Sequence, residues 1–240
     1  MSENINGLWY GTILQWKMDL RSRSMLVACY LVPLLFFALM GGIFTSVMPQ
    51  MKETLIPSMI VMGVSMGAFI GLPPSLAELY GSDIRKVYRA NGVPLWLGLA
   101  TAFFSAFVHL MLMCTIILLI APAAFDAALP QNLPVFYGAL AIYVAVSLAL
   151  GSVLGLAVKN QGKLTMAEQI LFLPSIMLSG IMFPASMLPE ALQTAGKIFP
   201  ASWGYLLMLD GGFRLENLWY LLLVFAAAAA VCGVLLRKKG

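Results

Sequence analysis

Residues 178–190 read LSGIMFPASMLPE and close a long uncharged stretch that begins after Glu168. A helix that crosses a membrane needs ~20 mostly apolar residues, and this stretch supplies them. Before it ends, Gly180, Pro184 and Pro189 occur in quick succession, and the chain resumes as a more polar segment of helical period. Proline removes an amide hydrogen and collides with the preceding turn, so this cluster breaks the helix. Pro189 suits the first turn of a new helix, where an amide hydrogen has no partner to lose. Leu188, Leu192, Ala195 and Phe199 then form an apolar stripe, with Glu190 and Lys197 placed to match the helix dipole and Pro200 stopping it. The expected result is a hydrophobic helix over 169–188, kinked near its end, and a short helix over 189–199 lying in or re-entering the membrane interface.

The same apolar character runs through the chain. Of its 240 residues, 61% are hydrophobic and only 10% charged, where a soluble domain carries roughly 25%. That balance indicates an all-α integral membrane protein, since backbone groups in lipid must be paired within the segment and no run shows the alternation of a barrel strand. Uncharged runs predict six transmembrane helices, over 25–47, 55–77, 95–121, 135–158, 169–188 and 217–236. Eleven basic residues fall on one side of this arrangement, in the segment before the first span, two loops and the tail. Only Lys52, Lys197 and Arg214 fall on the other. The positive-inside rule therefore puts both termini in the cytoplasm. The net charge of +4 reflects this bias rather than a nucleic-acid footprint. The first 24 residues have no early apolar core, so no cleavable signal peptide is expected. Cys29, Cys114 and Cys232 lie inside spans at unrelated spacings and suggest neither a disulfide set nor a metal site.

Between and before the spans, three features stand out. Trp9, Ile13, Trp16 and Leu20 recur at helical spacing, which predicts an amphipathic helix over 4–24 on the cytoplasmic membrane surface. Gly63, Gly67 and Gly71 in the second span, and Ser147, Gly151 and Gly155 in the fourth, make stripes of small residues for close packing, within the chain or between chains. The connection over 78–94, containing ELYGSDIRKVYRANGVP, is the most polar segment. Ser82 or Asp83 can cap a short helix through Ile84, Val87 and Tyr88, showing Arg85, Lys86 and Arg89 beside an apolar stripe. Such a helix suits docking to a partner or binding to anionic lipid.

Several candidate chemistries fail on inspection. Gly63-Val64-Ser65-Met66-Gly67 matches the pattern of serine hydrolases, which requires a sharp strand-to-helix turn, yet here it lies within a helical span. His109, the sole histidine, is read as bonding between helices. An intramembrane serine hydrolase is the last-placed alternative, and no catalytic residue is assigned. The six spans as drawn contain no carboxylate or lysine, unlike most ion-coupled carriers. The pairs Gly162-Lys163 and Gly196-Lys197 have alanine where a P-loop needs its first glycine. Energy for any work must come from another chain.

Leu178 to Pro184, followed by Ser186 to Pro189 and then Phe199-Pro200, resembles the fifth-span signature of type-2 permeases of ATP-binding-cassette exporters. Glu78-x-x-Gly81-Ser82 with Arg85, ending at Val93-Pro94, is similar to the coupling segment of that family. The resemblance covers nearly the whole chain. It implies a second permease chain, identical or paralogous, and two separate ATP-binding subunits carrying ATP and Mg, with no cofactor in this chain. It implies residence in the plasma membrane, the inner membrane of a bacterium. Glu78, Gly81, Ser82, Asp83, Arg85, Lys86, Tyr88 and Arg89 would seat in the ATPase, and the helix over 4–24 would touch it as well. The second and fifth spans would line the substrate path across a two-fold axis. By helical spacing, Ser58, Met62, Ser65 and Phe69 share one face of the second span, and Phe172, Ser175, Ser179 and Phe183 one face of the fifth. Gly180, Pro184, Pro189 and Pro200 would shape an outer gate. Methionine, phenylalanine and serine suit a hydrophobic or amphiphilic cargo moved outward. The alternative is a membrane scaffold or regulatory subunit whose ATPase moves no cargo.

Overall fold

The computed structural model describes residues 2–81, 88, 90, 93–184, 187–209 and 212–239, and among them there is no strand. Helix α1 (Ser2–Asp19) leads through a tight turn into α2 (23–47). A 3₁₀ turn at Pro49–Glu53 precedes α3 (Leu55–Gly81), and α4 (Leu95–Phe125), α5 (Leu133–Ala157) and α6 (Gln161–Leu178) follow. Two short helices, α7 (Glu190–Gly196) and α8 (Pro200–Met208), lead to α9 (Leu215–Lys239). Asn132 and Asn160 cap α5 and α6, their side-chain oxygens accepting the amides of Val135 and Lys163. Five of these helices, α2, α3, α4, α5 and α9, are long and apolar enough to cross a membrane.

The helices are arranged around α3. Of its most apolar stretch 89% is buried, against 28% for α2 and 17% for α9. Helices α2, α4, α5, α6 and α8 all pack on it, while α9 lies outside, against α5 and α8. In lipid, helices gain little from hiding apolar surface from one another, so close contact and satisfied polar groups must hold them. The small-residue stripes supply that contact within the chain. A methyl group on Gly63 or Gly67 would strike Met113 or Leu110 of α4. On the other side, a Cβ built on Gly151 of α5 would lie 2.0 Å from the carbonyl oxygen of Ala68, and one on Gly155 would lie 2.7 Å from that of Pro73. Backbone meets backbone there, with no space for a side chain.

Proline accounts for the two irregular turns. Helix α2 widens into a π turn at Val27–Leu31 just before Pro33, and α3 does the same at Gly67–Gly71 before Pro73 and Pro74. A proline ring collides with the carbonyl four residues back and offers it no hydrogen. One extra residue in the turn relieves that collision. The two wide turns pack together, with Cys29 Sγ 3.3 Å from where a Cβ on Gly71 would be.

The chain departs from the sequence expectation in three places. The helix expected over 169–188 runs over Gln161–Leu178 instead: Asn160 starts it early, and Gly180, with a left-handed φ of 85°, turns the chain away directly after it. Glu168, placed by the sequence before this span, therefore sits well inside the helix. The second difference is at Pro200, which the sequence places as a stop and which opens α8, a further helix in the link to the last span. Third, α1 does not turn Trp16 outward with Trp9, Ile13 and Leu20. Trp16 faces α4, while Trp9, Tyr10, Ile13, Leu14 and Met18 are exposed.

Gly151→Ala is expected to destabilise the detergent-solubilised protein by about 1–3 kcal/mol, the usual cost of overpacking. Gly138→Ala, on the same helix with nothing within 4 Å of its added methyl, is expected to be neutral or slightly stabilising. Thermal unfolding of the two variants side by side checks this; equal stability would mean that the α3–α5 contact is not tight.

Candidate functional site

The end of the bundle that carries Gly81, Lys159 and Lys239 holds a polar cleft of about 490 Å³, lined by Ser22, Ser75, Glu78, Gly81, Lys159 and Gln161. Of the expected coupling residues, Glu78 and Gly81 stand exposed in this cleft. The Tyr88 ring lies beside Gly98 at the start of α4, and the Tyr88 carbonyl accepts the amide of Val93. Ser82, Asp83, Arg85, Lys86 and Arg89 lie outside the described residues. The end of α3 is fastened to both neighbours: the Tyr80 hydroxyl donates to the carbonyl of Leu95, and the Lys239 ammonium stands 5.6 Å from the Tyr80 ring. These contacts tie the end of α3 to α4 and α9.

The expected path residues are buried on both helices, save one. On α3, Ser58, Met62, Ser65 and Phe69 are all buried inside the protomer. On α6, Phe172, Ser175 and Ser179 are buried, whereas Phe183 lies past the helix end and is 41% exposed. Helix α6 packs along α3 in a seam, most extensively at the π turn. The Ser65 hydroxyl and the Tyr143 hydroxyl of α5 share a hydrogen bond of 2.6 Å. Ser179 donates to the carbonyl of Ile176 at 3.0 Å. Ser58 Oγ and Ser175 Oγ are buried with no partner among the described residues. Buried hydroxyls are normally paired, so these two stand out, as does that of Ser147 on α5.

At the far end of the seam the broken helix is stitched back onto itself. Gly196, at the end of α7, lies against the carbonyl of Leu178 so closely that a Cβ there would be 2.3 Å from its oxygen. The Ser202 hydroxyl donates to the carbonyl of Gly196 at 2.6 Å, and Trp203 Nε1 to that of Lys197 at 2.7 Å. Trp203 stacks on Tyr220 of α9, whose hydroxyl donates to the carbonyl of Ile198. Gly180 supplies the left-handed turn, Pro189 caps α7 and Pro200 begins α8. Pro184 lies in the irregular stretch between α6 and α7. Together α7 and α8 make a hairpin whose second arm returns to the bundle, where Gly204 lies against the Tyr143 ring.

His109 bonds between helices, as its sequence reading has it, but the roles of Asp19 and Glu168 are not legible in the sequence. The Asp19 carboxylate, at the end of α1, accepts the Ser105 hydroxyl of α4 at 2.6 Å and the Gln15 amide at 2.9 Å, and is buried. Beside it His109 bonds the Tyr30 hydroxyl of α2 through Nδ1 at 2.8 Å, and Trp16 stacks at a tilt 6.0 Å away. Thus α1 is joined to α4 by its polar edge, and α4 to α2 by the His109–Tyr30 bond. The four-residue spacing of Gln15 and Asp19 was the available signal. Glu168 is 2% exposed and lies on the inward face of α6 with Leu164, Phe172 and Ser175. Its Oε1 has no hydrogen-bond partner among the described residues.

The hydrolase pattern finds no support in this geometry, because Ser65 bonds Tyr143 whereas His109 bonds Tyr30. Residues 45–237 match the family described as ABC-2 family transporter protein. The chain belongs to the ABC-2 transporter family. No curated protein matches the chain. As a member it is a multi-pass membrane protein and the permease subunit of an ABC transporter, which implies an ATP-binding cassette partner. The matched region begins at the end of α2 and takes in the contact of α3 with α6, the cleft apart from Ser22, and the broken helix; α1 with Asp19 precedes it. For this ABC-2 permease the polar cleft is the candidate partner surface and the seam the candidate path.

Ser65→Ala and Tyr143→Phe should each cost about 1 kcal/mol, the worth of a buried hydrogen bond. The double variant should cost less than the sum, because both remove the same bond. Unfolding midpoints of the three variants test the pairing, and strict additivity would refute it. If Ser65→Ala abolished function in a correctly assembled protein, a nucleophilic serine would be revived.

Proposed function

We propose that this ABC-2 permease exports a hydrophobic or amphiphilic substrate, driven by ATP that separate subunits bind with Mg and hydrolyse. The observation that carries the reading is the family match over residues 45–237. Helix α6 is the sixth span in this reading. Its 18 residues reach about 27 Å at 1.5 Å per residue, close to the ~30 Å of a bilayer core. Both termini face the cytoplasm, on the strength of the eleven basic residues gathered on that side. The polar cleft with Glu78 and Gly81 then opens to the cytoplasm, where an ATPase would dock. Helix α4 has 31 residues and at about 46 Å outruns the core. Its first turns can stand in the headgroup layer, with α1 beside them.

Two permease chains and two ATP-binding subunits would make the working complex in the plasma membrane. Docking would move the segment between α3 and α4. Through Tyr80 and Leu95 that movement would reach the bundle and part the seam of α3 and α6. The hairpin of α7 and α8 would close the outer end.

Affinity purification from native membranes is expected to recover an ATP-binding cassette protein with the permease; repeated failure would count against the transporter reading. In the recovered complex, Glu78→Ala should leave assembly intact and lower substrate-dependent ATP turnover about tenfold, within the usual span of coupling energies. Unchanged turnover would remove Glu78 from the coupling surface.

A further inference from the structure

We infer that Glu168 is the counter-charge for a cationic amphiphile, a molecule with a protonated amine or similar cation on an apolar body. The inference rests on the transporter reading and narrows its substrate class. It begins with a side chain that has no structural reason to be where it is. Glu168 is 2% exposed, and its Oε1 has no hydrogen-bond partner among the described residues. An isolated carboxylate in an apolar environment is costly until a cation or several donors meet it. Among the described residues no cation forms an ion pair with it. Helix α3, the principal wall opposite, has no charged residue between Glu53 and Glu78. Lys159 and Lys163, at the start of α6, are exposed. Asp19, the other buried carboxylate, differs in being met by Ser105 and Gln15.

The surroundings define the rest of the ligand. Phe172 lies one turn beyond Glu168 on the inward face of α6, and Ser175, whose hydroxyl is also buried and unpartnered, lies nearly two turns beyond. At 1.5 Å per residue the Glu168-to-Ser175 interval is about 10 Å along the helix axis. A cation seated on Glu168 would lay its apolar body along Phe172 and present any hydroxyl or carbonyl to Ser175. The facing helix is most closely engaged with α6 at its proline-widened turn, Gly67–Gly71. Such turns are pliable and frequent at functional sites, which gives the seam a wall that can yield. Glu168 stands on the seventh residue after Gln161, at the basic end of α6, so a ligand would meet it on leaving the cytoplasm or inner leaflet.

The test uses the complete complex with its ATPase, in nanodiscs, and a pair of probes matched in shape but opposite in charge. Tetraphenylphosphonium is expected to bind at least about tenfold more tightly than tetraphenylborate and to stimulate ATP hydrolysis. Glu168→Gln should remove that preference, and Glu168→Asp should restore part of it. Equal binding of the two ions by the natural protein would overturn the inference without need of any variant. So would unchanged cation binding in a Glu168→Gln complex that elutes and unfolds like the natural one. If the complex hydrolyses ATP but shows no charge preference, the substrate assignment fails and the transporter reading stands. If no ATPase is recovered with the permease, the failure lies with the transporter reading.

Discussion

The contact of α3 with α5 is the constraint on which the rest of the structure depends. Pro73 and Pro74 lack the amide hydrogens of a regular turn, and α3 widens at Gly67–Gly71 just before them. The widened stretch brings backbone carbonyls to the helix surface, where Gly151 and Gly155 let α5 approach without intervening side chains. Helix α3 is thereby held at the centre of the bundle, and α2, α4, α6 and α8 arrange themselves around it. The second wide turn, before Pro33 on α2, packs against the first. A layer of irregular backbone therefore crosses the interior of an otherwise regular bundle. Packed turns of this kind are places where helices bend without losing their hydrogen bonds altogether.

Much of this was legible in the sequence because lipid enforces simple rules. Apolar runs located the long helices, and the stripes of Gly63–Gly71 and Ser147–Gly155 pointed to close packing, though not to the surfaces they meet. The break at Gly180 was likewise readable from its glycine and prolines. What escaped was set by contacts between distant residues. The start of α6 was misplaced because a charged residue was assumed to stand outside a span, whereas the fold accommodates Glu168 on an inward face. Asp19 is held by Ser105, 86 positions away, a partner that no local pattern reveals. Pro200 was read as a terminator, although proline is equally at home at the opening of a helix, and the return of α8 to Tyr143 decided between the two.

In function, the chain joins a firm framework to a poorly satisfied seam. Tyr80, Leu95 and Lys239 fasten the basic ends of three helices together; hydrogen bonds to Gly196, Lys197 and Ile198 hold the hairpin of α7 and α8 together and to α9, and Gly196 packs on the end of α6. Between these two fastened ends lie Ser58, Ser175 and Glu168, whose buried polar atoms lack partners among the described residues. Membership of the ABC-2 family supplies a reason for such an arrangement, since a permease must have a path that is closed at rest and opened by an ATPase.

The central claim, that the seam of α3 and α6 is the path and parts during the ATP cycle, is tested most directly by the accessibility of Ser175. With the buried native thiols Cys29, Cys114 and Cys232 replaced, a Ser175→Cys variant of the complex would be treated with a water-soluble thiol reagent, with and without ATP. Slow labelling at rest and a marked rise during ATP turnover is the expected result. Labelling that stays equally slow in a complex actively hydrolysing ATP would contradict the account.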